Sequence, residues 1–437
     1  ITLLLLDFTG TLHTWFGWLA RIQFLPAVLA LNVAVVVSLV VLTLLLGRVY
    51  CSVICPLGVF QDIVSWLSGR RRKYRYRFSY SPVQRWLRIA VLVLFVAAIA
   101  AGIGSLVALL APYSAYGRIA ANLFAPIYRW GNNLLAYFAE RADSYAFYQT
   151  NVWLKSLPTL LVAAATFIVL VVLAWRGGRT YCNTICPVGT ILGALARYSL
   201  FRPVIDERKC NSCSLCARKC KAHAEAPADP ARRRFLTGAG LLLGSAALHA
   251  QEKKVDGGLA VILDKKVPAR HTPIVPPGAV SLRHMAAHCT GCQLCVSSCP
   301  NGVLRPSSGL MTLMQPESSY ERGYCRPECV VCSEVCPAGA ILKITPAEKS
   351  AIQVGRAVWV RDNCVPLTDG VACGNCARHC PTGAITMVPS DPERADSPKI
   401  PAINEERCIG CGACENLCPA RPFSAIYVEG YTYHRTI

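Results

Sequence analysis

The sequence predicts an N-terminal α-helical membrane bundle built on an internal two-fold repeat, joined to a C-terminal α+β domain of short cysteine-rich repeats. Three observations carry that prediction. Long apolar runs are confined to the first half, a twelve-residue motif occurs twice at the ends of two of them, and 24 cysteines fall into groups with no remainder. Of 437 residues, 53% are hydrophobic and 16% charged, which excludes a disordered chain. A mean hydropathy of +0.38 places part of the chain in lipid. A chain this long can bury a core without a disulfide framework, so the cysteines call for another explanation.

The bundle is read from three runs, at 24–47, 89–111 and 157–175, each long enough to cross about 30 Å of hydrocarbon as a helix. Ile1–Leu6 reads as the tail of a further span, giving about four spans with the first one truncated. Residues 48–88 hold nine Lys/Arg against one acid, and 176–234 hold twelve against four, which orients both loops toward the cytoplasm. Beside membrane spans, these basic clusters orient the chain; nucleic acid is not an expected partner. Within the two loops, Gly47–Gly58 (GRVYCSVICPLG) matches Gly178–Gly189 (GRTYCNTICPVG) at eight of twelve positions. Pro56 and Pro187 suit the first turn of a following helix. Two such units can face each other about a pseudo-twofold axis.

Neither Cys51/Cys55 nor Cys182/Cys186 completes a four-ligand site alone. Five quartets follow: Cys210, Cys213, Cys216, Cys220; Cys289, Cys292, Cys295, Cys299; Cys325, Cys329, Cys332, Cys336; Cys364, Cys373, Cys376, Cys380; and Cys408, Cys411, Cys414, Cys418. Three read C-x2-C-x2-C-x3-C, the spacing by which one loop wraps three thiolates around an iron–sulfur cube and sends a fourth to a neighbour. Zinc hooks pair two C-x2-C units across a longer gap and often include His, and disulfides do not need four cysteines in eleven residues. Four thiolates per site give about six [4Fe–4S] clusters. The simplest partition near the membrane gives one cluster to Cys51, Cys55, Cys182 and Cys186 and another to the 210–220 quartet. An exchange of roles between Cys186 and Cys220 is the alternative.

Between the halves, Arg232-Arg233-Arg234-Phe235-Leu236-Thr237 opens a run of apolar and small residues ending at Ala250. It looks like an internal twin-arginine export signal, with Ala231 and Thr237 departing from the usual pattern. It is expected to form a fifth, twin-arginine-like span that carries residues 251–437 to the far side. The expected divisions are 1–200 (membrane module), 201–230 (cytoplasmic cluster motif), 231–250 (hinge span) and 251–437 (four-cluster domain). Thr272–Ala279 reads as an extended lead-in to the last of these, whose strands and helices should be short.

On these motifs the chain resembles the membrane and periplasmic polyferredoxins of periplasmic nitrate reductase systems, the NapH and NapG types. Residues 1–230 resemble the former and 231–437, with Pro276-Pro277-Gly278-Ala279, the latter. Here the two are fused, and one ferredoxin quartet follows the second C-x3-C-P where two are usual. The resemblance implies quinol-linked electron transfer to a periplasmic redox partner at the bacterial inner membrane, with a quinone as a second ligand. By analogy with four-cluster subunits of molybdenum reductases, it also implies outer-with-outer pairing. Cys289, Cys292 and Cys295 would take Cys418, and Cys325, Cys329 and Cys332 would take Cys380, with Cys299 and Cys336 reciprocating. Sequential pairing of adjacent motifs is the alternative.

No haem attachment motif, P-loop or dinucleotide fingerprint is present, so no independent substrate-converting site is read. His13 and Trp15, with Trp18, Asp7 and Arg21, are the candidates for a quinone site, against an ordinary interfacial aromatic belt. His284 and His288 are expected on a solvent-facing helix. A cytoplasmic polyferredoxin docked to a redox complex and an assembly scaffold with structural clusters are the rival functions.

Overall fold

The computed structural model describes residues 1–69, 85–201 and 264–437, apart from Phe8, Tyr145, Leu154 and Ala395. The 210–220 quartet and the twin-arginine hinge therefore lie outside the described residues. The N-terminal half is helical. Leu157–Gly177, 21 residues, is the one described helix long and apolar enough to cross a membrane. At 1.5 Å per residue it is about 31 Å long.

The other two apolar runs are not continuous helices. Residues 24–47 form Phe24–Leu29 and Val33–Leu46, broken where Leu31 adopts φ 52°. Residues 89–111 form the end of Arg85–Ala100 and then Gly104–Leu110, broken where Gly102 adopts φ 70°. The two breaks share one geometry. Asn32 N donates to Ala27 O and Val33 N to Leu31 O, as Ile103 N does to Ala98 O and Gly104 N to Gly102 O. Each left-handed residue closes the helix before it, and Asn32 Oδ1 then caps the next by accepting from Val35 N at 3.3 Å. Each piece, as far as it is described, falls short of the roughly 20 residues a span needs. Among the described residues the four-span bundle is therefore not confirmed: one long helix and two broken ones are present.

The twelve-residue repeat is symmetric in three dimensions. Gly47 (φ 71°) and Gly178 (φ 69°) end the preceding helices in backbone conformations that L residues rarely adopt. Arg48 Nη1 donates to Asn183 Oδ1 at 2.8 Å, and Arg179 Nη1 donates to Ser52 Oγ at 2.9 Å. These are equivalent contacts with the two motifs exchanged. The helix Pro56–Gly69 then runs beside Leu157–Gly177 in the same direction. Phe60 packs on Phe167 with ring centroids 5.7 Å apart and Ser68 Oγ donates to Trp175 O, both pairs separated by 107 positions. Gln61 meets Cys182 while Asp62 pairs with Arg179, so the chain from Gly178 to Cys186 turns back against these helices.

The C-terminal domain is a motif–hairpin–motif unit built twice. Strands β1 (Leu304–Pro306) and β2 (Pro316–Ser318) lie between the first two quartets, and β4 (Ile385–Pro389) and β5 (Lys399–Ile403) between the last two. β3 (Ile352–Trp359), between the units, pairs antiparallel with the final strand β6 (Ile426–Thr436) and ties them together. The buried ion pair of Arg270 Nη2 with Glu415 Oε1, 2.5 Å, locks the lead-in to the last motif, while Val428 N donates to Glu415 Oε2 at 2.8 Å.

The two halves touch. Ser114 Oγ donates to Thr290 O at 2.5 Å, Asn122 Nδ2 to Gln293 Oε1 at 2.8 Å, Lys155 Nζ to Val296 O at 2.5 Å and Arg21 Nη2 to Glu334 O at 2.9 Å. A Cβ on Gly117 would lie 2.3 Å from Cys292 O, so only glycine permits that approach.

Two outcomes are expected. A Cβ on Gly58 would sit 1.9 Å from Cys51 O, so Gly58→Ala should destabilise the motif by about 1–3 kcal/mol and lower iron content per chain, measured by colorimetric iron assay. Glu415→Ala leaves Arg270 buried and unpaired, a loss of about 3–5 kcal/mol, and should lower the midpoint of thermal cluster bleaching by on the order of 10 °C.

Candidate iron–sulfur centres

Cys51, Cys55, Cys182 and Cys186 are buried together, each thiol within electrostatic reach of the others. The structure brings the two C-x3-C pairs into one set, the simpler of the two partitions; Cys210, Cys213, Cys216 and Cys220 lie outside the described residues. Pro56 and Pro187 open the helices that follow, so two helix N-termini lie at the thiols, where the helix dipole favours anionic sulfur. Gln61 Nε2 donates to Cys182 Sγ at 3.2 Å and Gly189 N to Cys186 Sγ at 3.3 Å. Arg48 and Arg179 line an adjoining cavity with Cys51 and Cys182. Arg179 pairs with Asp62, whose counterpart in the repeat is Gly193, so Arg48 meets no carboxylate at that position.

Four further sets form in the C-terminal domain, and each combines three cysteines of one motif with the last cysteine of the adjacent motif. Cys336 bears on Cys289, Cys292 and Cys295. Cys299 bears on Cys325 and Cys332, with Cys329 beside them. Cys418 bears on Cys364 and Cys376, with Cys373. Cys380 bears on Cys408 and Cys411, with Cys414. The outer-with-outer pairing is thereby corrected to sequential pairing. The physical cause is the hairpin between the motifs of each unit: β1–β2 and β4–β5 fold the second motif back on the first.

The sets also follow one another in a row. Cys295 neighbours Cys332, Cys325 neighbours Cys411 and its N–H donates to Cys411 O at 2.9 Å, and Cys414 neighbours Cys376. The first set faces the helical module through Tyr113, Ser114 and Gly117. The third motif, although earlier in sequence than the fourth, lies at the far end.

Several observations fit these thiols to [4Fe–4S] cubes. All twenty described cysteines are free thiols. Backbone N–H groups donate to Sγ of Cys289, Cys336, Cys380 and Cys418 at 3.3–3.4 Å, the hydrogen bonds that stabilise cluster-bound thiolates. Burial pushes the Cys292 thiol up to about 11 and, with Cys408 and Cys380 adding, that of Cys411 to about 12. Such thiols lose their protons only when a cation replaces them, which iron does. When bound, such cubes accept and release single electrons.

Three lysines have no signal in the sequence, because each is isolated there. Lys349 Nζ donates to Arg326 O at 2.5 Å and to Cys329 O, holding the second motif's loop. Lys265 Nζ donates to Glu415 O at 2.5 Å, Asn416 O at 2.8 Å and Cys418 O at 3.1 Å, doing the same for the fourth. Burial, then Arg421, lowers Lys265 to about 8. Lys155, from the helical half, reaches the loop between Cys295 and Cys299.

His13 Nδ1 lies 3.4 Å from Asp7 Oδ2, and its Nε2 is buried without a hydrogen-bond partner. Trp15 is 79% exposed and Trp18 56%, so the aromatics do not close around that ring. His284 and His288 are half-buried, not solvent-facing: their rings stack at 4.1 Å, His284 Nε2 lies 3.0 Å from Gly339 O, and His288 Nδ1 lies 3.0 Å from His284 O.

Sequential pairing predicts that Cys336→Ser perturbs the same EPR signal as Cys289→Ser, and Cys418→Ser the same signal as Cys364→Ser. Outer-with-outer pairing would instead group Cys418→Ser with Cys289→Ser.

Comparison with known proteins agrees with these centres. A "4Fe-4S binding domain" family matches residues 28–75 and again 159–205, the two copies of the helical repeat. "4Fe-4S dicluster domain" families match 207–303, 288–341 and 371–421. The methylamine utilization ferredoxin-type protein MauM of Methylophilus methylotrophus is 31% identical over 198 residues, 44% of this chain and 83% of that protein. The MauM protein of Paracoccus denitrificans is 30% identical over 172 residues, 37% of this chain and 73% of its own length. The ferredoxin-type protein NapG of Haemophilus influenzae is 28% identical over 216 residues, covering 46% and 72%. No solved structure matches. On these matches the chain belongs to the Nap/Mau-type family of ferredoxin-type iron–sulfur electron-transfer proteins.

Proposed function

We propose that this protein is a membrane-anchored iron–sulfur carrier that takes electrons from a quinol pool or a membrane partner and delivers them to a periplasmic redox enzyme. About six [4Fe–4S] clusters serve it, two near the cytoplasmic face and four beyond the hinge. A quinol gives up two electrons and two protons on oxidation to quinone; the electrons leave singly through the cysteine-held centres and the protons go to water.

One observation carries the two-sided reading. The described chain leaves the helical half at the cysteine end, where Leu200 N and Phe201 N donate to Leu44 O and Leu45 O at 2.7 and 2.9 Å. It resumes at Asp264 in a domain that docks at the other end of the same helices, on Ala30 before Val33–Leu46 and on Lys155 before Leu157–Gly177. Those ends are about 31 Å apart along Leu157–Gly177. The 62 residues between them, which include the twin-arginine run, are enough chain to pass from one side to the other.

Alkaline phosphatase fused after Gln251 should be active and a fusion after Ala226 inactive, with green fluorescent protein showing the reverse. Phosphatase that is inactive at both positions would place both halves in the cytoplasm and favour the docked cytoplasmic carrier instead.

A further inference from the structure

A cavity of about 280 Å³ lies where the helical half meets the cysteine-rich domain, between Ala125–Arg141 and the start of Leu157–Gly177. Its wall is mostly apolar, from Ala121, Ala125 and Leu160 among others, with Trp153 presenting an indole and Asn122, Arg129 and Lys155 presenting polar atoms. Ser297 completes it, and Ser297 sits between Cys295 of the first centre and Cys299 of the second. We propose that this cavity binds the headgroup of a membrane quinone, with Arg129 as the donor to a ring carbonyl. This rests on the quinol-linked reading above and names the site that reading requires.

Four features favour that occupant. First, each polar side chain of the wall is held in place by one bond to the cysteine-rich domain: Lys155 Nζ donates to Val296 O at 2.5 Å, Arg129 Nη2 to Ser297 O at 3.4 Å and Asn122 Nδ2 to Gln293 Oε1 at 2.8 Å. Arg129 Nε is buried with no partner. Second, apolar pockets with a few placed polar groups are the usual form of small-molecule sites, and this volume suits a headgroup with its tail outside. Third, the outer faces of both flanking helices are apolar and exposed, with Ile127 at 69%, Trp130 at 69% and Leu161 at 58%, so an isoprenoid tail has a surface to follow. Fourth, Ala121 and Asn122 enter the wall from a π-helical turn, Ala120–Phe124, which widens the helix there; such turns recur at functional sites.

The cavity also lies on the relay. It adjoins the first two sets of the row and is formed by both halves, so a docked domain is needed to complete it.

The test uses full-length, cluster-loaded protein in lipid nanodiscs and 2-heptyl-4-hydroxyquinoline N-oxide, a fluorescent quinone analogue whose emission is quenched on binding. Saturable binding to the native protein is expected. Arg129→Gln should weaken it at least tenfold. Ala121→Phe, which fills the cavity without removing a hydrogen bond, should do the same at unchanged iron content, and His13→Ala should leave binding as it was. Unaltered binding in both cavity variants, or its loss in His13→Ala alone, overturns the site. If menaquinol still reduces the centres of both cavity variants at the native rate, the site is wrong while the quinol-linked function stands. If neither binding nor reduction occurs in the native protein, both fall.

Discussion

Four thiols gathered in a buried space cannot all ionise without a cation among them, and the rest of the molecule is arranged around that constraint. Burial and mutual repulsion push the Cys292 thiol up to about 11 and that of Cys411 to about 12. Iron relieves both effects, and its binding is then coupled to folding of the loops that carry the cysteines. The supporting structure is correspondingly local: N–H groups aimed at sulfur, two helix N-termini at the membrane set, and a lysine on the carbonyls of each of two cluster loops. Regular structure is scarce in the C-terminal domain because loops that enclose cubes leave little chain for it. The three strand pairs serve mainly to bring motifs back onto one another.

The two halves meet the constraint by different routes. In the helical half, sequence duplication supplies two thiols from each copy, and the reciprocal contacts of Arg48 with Asn183 and Arg179 with Ser52 fix the copies face to face. In the C-terminal half, a motif–hairpin–motif unit is built twice, and each motif lends its last cysteine to its neighbour. Docking through Ser114, Asn122 and Lys155 then brings the first of those sets against the helices. The row that results is not in sequence order, since the fourth motif stands between the second and the third.

What was legible in the sequence was the chemistry. Spacing alone separated cluster motifs from zinc hooks, and the duplicated GRxYCxxIC pattern marked the two cysteine pairs that the structure brings together, without deciding between the two partitions. The helix breaks were only half legible. Gly102 is a recognisable stop, but Leu31 adopts the same left-handed conformation without glycine, and nothing in an apolar run marks it. Cysteine pairing was misread because analogy supplied it; the turn-bearing stretches between adjacent motifs, which form β1–β2 and β4–β5, were the better guide. Lys155, Lys265, Lys349 and the Arg129 cavity were invisible because their partners are distant backbone carbonyls, which a sequence does not place.

Redox competence of the thiol sets is the claim from which all else follows, and an EPR-monitored reductive titration of anaerobically purified full-length protein tests it most directly. Electron-transfer centres predict about 24 iron atoms per chain. They also predict S = 1/2 signals that grow at physiological potentials, with spin–spin broadening as neighbouring sets fill. Iron-loaded protein that yields no reducible signal across that range, or protein that binds zinc in iron's place, would contradict it.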